Sequence, residues 1–83
     1  MGLSSTLLEA VQIKDGVLQA SNFHQYPLLR NAAAPDIDVV VLSSSETPSG
    51  MGEPPIAPIP AAVANAVFAA TGQRLRRLPL KLT

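Results

Sequence analysis

The stretch from Ala61 to Ala70 carries one strongly polar side chain, Asn65. Ala61, Ala62, Val63, Ala64, Ala66, Val67, Phe68, Ala69 and Ala70 cover every face of the helix it predicts. A helix that is apolar all round belongs inside a large body. The chain has 83 residues, and a domain of that size buries only about 60–65% of its unfolded surface. It holds no cysteine, so neither a disulfide nor a thiolate metal site can supplement its core. The pattern therefore predicts a helix enclosed by a larger assembly. Pro58 or Pro60 marks its entry and Gly72 its stop. The alanines permit close backbone approach, either of another helix or of a bulky cofactor, and the residues alone leave both readings open.

The rest of the chain reads as mixed α+β. Ser4 to Ala10 predicts a short helix, with Thr6 and Glu9 spaced as a capping box. Val11 and Ile13 alternate with Gln12 and Lys14, and Val17 to Ala20 returns after Asp15-Gly16. That dipeptide predicts a hairpin, because both central residues of the favoured turn need positive φ. Asn22 to Tyr26 reads as extended or irregular, its Phe23 and Tyr26 suited to packing, and Asn31 to Asp36 as a loop of small residues. Ile37-Asp38-Val39-Val40-Val41-Leu42 is the clearest strand, with a pattern that predicts burial on both faces. Ser43 to Ser49 is a loop.

Six Lys and Arg balance six Asp and Glu, so no general field steers nucleic acid or an anionic membrane. An aromatic content of 4% also denies the chain a stacking platform for single strands. The one basic cluster, Arg74, Arg76, Arg77 and Lys81, reads as a solvated tail or an inter-subunit contact. His24 is the single histidine, and a metal site needs three or four ligands, so no metal-ligating residue is assigned. Met1 to Ala10 lacks the basic leader of a signal peptide, and the longest apolar stretches fall short of the roughly 20 residues that span a bilayer.

Gly50-Met51-Gly52-Glu53-Pro54-Pro55 places one carboxylate between two glycines and two prolines. Glycine opens backbone angles and close approaches closed to other residues. Pro54 biases Glu53 towards an extended conformation. Both prolines fix their own φ and remove a donor. Such a loop can aim Glu53 as a general base must be aimed. It can equally be a surface turn with an incidental acid, since Gly and Pro are common turn residues.

Three stretches together carry a family resemblance. They are Ser21-Asn22-Phe23-His24-Gln25-Tyr26-Pro27-Leu28-Leu29-Arg30, the run from Gly50 through the alanine-rich helix to Gly72, and Leu75-Arg76-Arg77-Leu78-Pro79-Leu80. In this order they resemble the C-terminal portion of the molybdenum-binding large subunit of the xanthine dehydrogenase and aldehyde oxidase superfamily. The isoquinoline 1-oxidoreductase beta-subunit branch is the nearest match, and the likeness covers nearly the whole chain.

The resemblance implies that residues 1–83 form one segment completing a molybdenum-binding domain. Within it, 11–42 is a hairpin and strand region, 50–55 the catalytic loop and 60–72 the buried helix. It implies Glu53 as the catalytic base. Beside it, the backbone N–H groups of Gly50, Met51 and Gly52 can hydrogen-bond cofactor or substrate oxygens. The implied reaction inserts water-derived oxygen into an aldehyde or an N-heterocycle. The implied cofactors are molybdenum with molybdopterin cytosine dinucleotide, shared with a partner chain, and two [2Fe-2S] clusters on a small partner subunit. The partners are a larger chain carrying the rest of the molybdenum-binding subunit, the iron–sulfur subunit, room for a further electron-transfer subunit, and a small-molecule substrate. Either a cytoplasmic or a periplasmic location suits such a complex, and His24 and Tyr26 receive no chemical role. Without the resemblance, a non-catalytic subunit that docks through its apolar helix is the alternative.

Overall fold

The computed structural model describes residues 1–82, so Thr83, the last residue of the 1–83 segment, lies outside it. In chain order come helix α1 (Gly2–Leu7), strands β1 (Ile13–Lys14) and β2 (Val17–Leu18), and helix α2 (Ile59–Thr71). Single 3-10 turns at Phe23–Gln25, Asn31–Ala33 and Pro54–Ile56 lie between β2 and α2. The content is α+β, as the sequence predicts.

The hairpin forms where Asp15-Gly16 places it. Ile13 pairs with Leu18 and Lys14 with Val17, while Asp15 and Gly16 have φ of 52° and 74°. Both are positive, as a two-residue hairpin turn requires. Helix α2 also obeys its punctuation. Pro58 is its N-cap and Pro60 lies in its first turn, where the missing N–H leaves no helical bond unmade. Gly72 ends it in the left-handed conformation at φ 76°, donating its N–H to the Phe68 carbonyl at 2.8 Å.

Helix α1 departs from expectation. It runs from Gly2 to Leu7, not from Ser4 to Ala10. Thr6 is therefore helical rather than a cap, and its hydroxyl donates to the Gly2 carbonyl at 2.7 Å. The Leu8 and Glu9 N–H groups both donate to the Ser4 carbonyl, at 2.9 and 3.2 Å, and close the helix. The earlier start follows from Gly2, which packs α1 tightly onto α2. A Cβ added at Gly2 would sit 2.7 Å from Ile59 Cγ1 and 3.1 Å from its Cβ. Gly2→Ala is accordingly expected to destabilise the protein by about 1–3 kcal/mol through overpacking. Ile59→Ala, which removes the opposing Cγ1, should relieve part of that loss. Thermal melts of the two single variants and the double variant read the coupling, and strict additivity would show that the contact is not formed.

The largest departure is at Ile37–Leu42. This segment joins no ladder, and the one sheet among the described residues is the two-stranded hairpin. A strand needs a neighbouring edge to pair with, and both hairpin strands are only two residues long.

Nor is α2 buried by this chain. Ile59, Pro60, Val63, Ala64 and Val67 form a half-buried stripe, while Ala61, Ala62, Ala66, Phe68, Ala69 and Ala70 are exposed. Residues 54–71 make an apolar window of 18 residues with mean hydropathy 1.2. Only 13 of them are α-helical, about 20 Å of helix against a bilayer core of about 30 Å.

The only buried hydrophobic side chain among the described residues is Leu80, whose N–H donates to the Thr6 carbonyl at 2.8 Å. The accessible surface is 7350 Å², against about 4,700 Å² for a compact monomer of this mass. The radius of gyration is 16.3 Å, against about 12 Å for a compact domain of this length. Both excesses say that the apolar content of the chain is not satisfied within it.

Candidate active site

Glu53 caps the 3-10 turn Pro54–Ile56, which packs against both α1 and α2. The turn closes by a bond from the Ile56 N–H to the Glu53 carbonyl at 2.9 Å. Glu53 itself has φ −99° and ψ −32°. This is right-handed helical backbone, not the extended conformation that a following proline favours. The steric bias of Pro54 is a preference, and here the turn's hydrogen bond and the half-buried Ile56 outweigh it. The backbone of Glu53 is thus fixed on one side by packed structure. Its side chain is exposed and, among the described residues, forms no hydrogen bond or ion pair.

Gly50 and Gly52 do not use the left-handed region, which is reached by Gly16 and Gly72 instead. An added Cβ at either would meet nothing within 4 Å. The chain's own packing requires no glycine at these positions. Gly52 lines an open groove with Leu3, Pro55, Ile56 and Ile59, and Met51 is exposed beside it. The N–H groups of Gly50, Met51 and Gly52 make no hydrogen bond among the described residues.

Helix α1 is the support behind this loop, and sequence reading undervalued it. Ser4 is buried, and its hydroxyl accepts from the Leu29 N–H at 2.9 Å. Thr6 is wholly buried, and its carbonyl accepts from Leu80. One short helix thereby ties together residues near 29, 56 and 80. The signal was the run Ser4-Ser5-Thr6, whose hydroxyls can bond backbone and be buried within a helix.

Tyr26 does not approach Glu53 by any hydrogen bond. Its phenol donates to Glu9 Oε1 at 3.0 Å. That bond, then partial desolvation and the charge of Glu9, raise the phenol above its ordinary value of 10.0. The protonated phenol is the favoured form. The contact is therefore fully present below the ordinary tyrosine range and is lost as pH rises through the elevated value. Subtracting the phenolate absorbance titration of Tyr26→Phe from that of the unsubstituted protein should leave one phenol ionising above pH 10. A difference curve centred at or below 10 would contradict the contact.

His24 is exposed within the turn Phe23–Gln25. Among the described residues no three His, Cys, Asp or Glu side chains converge to hold a metal. Arg74 lies 4.0 Å from the Phe68 ring centre and donates to Asn65 Oδ1 at 2.7 Å. It joins Arg76, Arg77 and Lys81 in lining a groove beside Leu8, Ala10 and Val11.

The chain is 44% identical over 80 residues to the isoquinoline 1-oxidoreductase subunit beta of Brevundimonas diminuta, covering 96% of this chain and 10% of that protein. It is 40% identical over 80 residues to the membrane-bound aldehyde dehydrogenase [pyrroloquinoline-quinone] of Gluconacetobacter polyoxogenes, with coverage of 96% and 10%. To the xanthine dehydrogenase molybdenum-binding subunit of Escherichia coli O157:H7 it is 34% identical over 87 residues, with coverage of 96% and 12%. The chain thus spans about a tenth of the length of the curated relatives it matches. No family model and no solved structure matches it.

Proposed function

The chain belongs to the xanthine dehydrogenase and aldehyde oxidase superfamily, and on that premise we propose that it supplies the catalytic base to a molybdenum-dependent hydroxylase. The reaction inserts water-derived oxygen into an aldehyde or an N-heterocycle. The observation that carries the reading is the placement of Glu53. Its backbone is held by a turn packed on two helices, while its carboxylate projects without an internal partner.

The loop fits a bulky, oxygen-rich cofactor held mainly by other residues. Gly50 and Gly52 leave their Cβ directions open, and the N–H groups from Gly50 to Gly52 are uncommitted donors. A molybdenum–molybdopterin cytosine dinucleotide, when bound, supplies the two-electron oxidation and the activation of oxygen. The rest is asked of this chain. A Glu53 carboxylate oxygen accepts a proton from a donor about 2.6–3.2 Å away in the productive pose. The backbone donors of Gly50, Met51 and Gly52 orient acceptor oxygens, and α1 and α2 hold the turn still.

With no cysteine in the sequence, [2Fe-2S] clusters must be held by a partner subunit. A larger chain, carrying the remainder of the molybdenum-binding subunit, completes the domain around residues 1–83. The alternative of a purely structural subunit draws on the exposed apolar α2; it shares the docking but denies Glu53 a role.

Purification of the complex through this chain, with protein inventory, metal analysis and nucleotide release, tests the proposal. Molybdenum, a released cytosine nucleotide, and turnover in a screen of aldehydes and N-heterocycles are expected. A fully active preparation without molybdenum would overturn it.

A further inference from the structure

The segment Ile37–Leu42 has the composition of a sheet interior and none of its bonds. Ile37, Val39, Val40, Val41 and Leu42 are 72–87% exposed. No N–H or carbonyl from residue 37 to residue 42 is hydrogen-bonded among the described residues. Backbone groups in a folded protein are nearly all paired once they leave water, and a long apolar unpaired edge is an aggregation site. If the segment is extended, Ile37, Val39 and Val41 share one face, while Val40 and Leu42 share the other with Asp38. Both faces are then apolar except at Asp38, near the first end. An edge strand with one wet face does not have this composition, whereas a strand covered on both faces does.

We propose that residues 37–42 enter a β-sheet of the larger part of the molybdenum-binding subunit by strand addition, pairing with its edge through main-chain bonds. The occupant follows from length. The relatives carry roughly nine further tenths of chain beyond the matching part, and this chain's own sheet has no more than a two-residue hairpin to offer. Strand addition gives affinity through main-chain bonds and specificity through alternate side chains. Asp38 marks the end at which one face reaches water. This assignment rests on the family membership and on the proposed completion of the domain, but not on the role of Glu53.

Hydrogen exchange of the purified complex tests it directly. Alternate amides from 37 to 42, those that face the partner edge, are expected to be protected by about 10²-fold or more relative to an unstructured peptide. Val39→Pro and Val40→Pro, made separately, remove adjacent donors that point to opposite sides of an extended strand, so at least one of them breaks a bond to the partner edge and should abolish recovery of the complex. Val40→Thr, which keeps the branched shape and strand preference, should retain it. Unprotected amides throughout 37–42 in an intact complex, or normal recovery with both proline variants, would overturn the proposal. Protection in a complex lacking molybdenum and turnover would support the strand addition while refuting the hydroxylase reading, so the two can fail separately.

Discussion

Glu53→Gln is expected to leave an assembled, metal-loaded complex whose turnover has fallen at least about 10²-fold, the lower end for loss of general acid–base catalysis. Glutamine keeps the length and hydrogen-bonding capacity of the side chain but has no basic oxygen at neutral pH. The structure explains why assembly should survive. The Glu53 carboxylate is exposed and makes no bond among the described residues, and its carbonyl, not its side chain, closes the turn at Ile56. Substitutions away from packed features shift stability by no more than about 0.5 kcal/mol. Glu53→Asp is a useful companion. It keeps the base but retracts it by one methylene, and misplacement near 1 Å can itself cost about 10²-fold. Both variants should show unchanged molybdenum content and subunit stoichiometry. Near-normal turnover of a cofactor-loaded Glu53→Gln complex would remove Glu53 from the mechanism and favour the structural reading.

Local chemistry was legible in the sequence where it is self-sufficient. Asp15-Gly16 specifies its turn through two positive φ angles, and Gly72 specifies the end of α2. Neither needs a distant partner. Where structure depends on contacts far along the chain, sequence reading lost accuracy. The start of α1 is set by Gly2 against Ile59, and Glu9 is taken up by Tyr26 rather than by a capping box. The backbone of Glu53 follows its turn rather than the bias of Pro54. Ile37–Leu42 and α2 form a third class. Their side chains predict burial, yet the residues that could bury them are not supplied by this chain. The motif around Glu53 was legible as chemistry only through the family likeness, because its glycines serve no packing need within the described structure.

The second large effect is expected from Ala62→Glu. Helix α2 turns the stripe of Ile59, Val63 and Val67 towards the rest of the chain, where these side chains are half-buried. A charge at Val67 would strike that stripe and confuse internal packing with docking. Ala62 lies on the other side and is exposed. Glutamate there keeps good helix propensity, and near the N-terminal end of α2 its charge opposes no dipole. If this chain alone determined the surroundings of α2, the variant would be silent. If a larger subunit closes over the alanine face, the added side chain must fit where small residues allowed close approach. Overpacking then costs about 1–3 kcal/mol, and burial of an unpaired carboxylate adds a further penalty. Recovery of the complex should therefore collapse for Ala62→Glu, while Ala62→Ser, small and uncharged, retains most of it. Co-purification yield and size-exclusion profiles of the co-expressed subunits give the measurement. A normal yield of intact complex with Ala62→Glu would mean that the outer face of α2 stays in water. The contact between this chain and the larger subunit would then have to run through other surfaces, with the 37–42 segment the first to test.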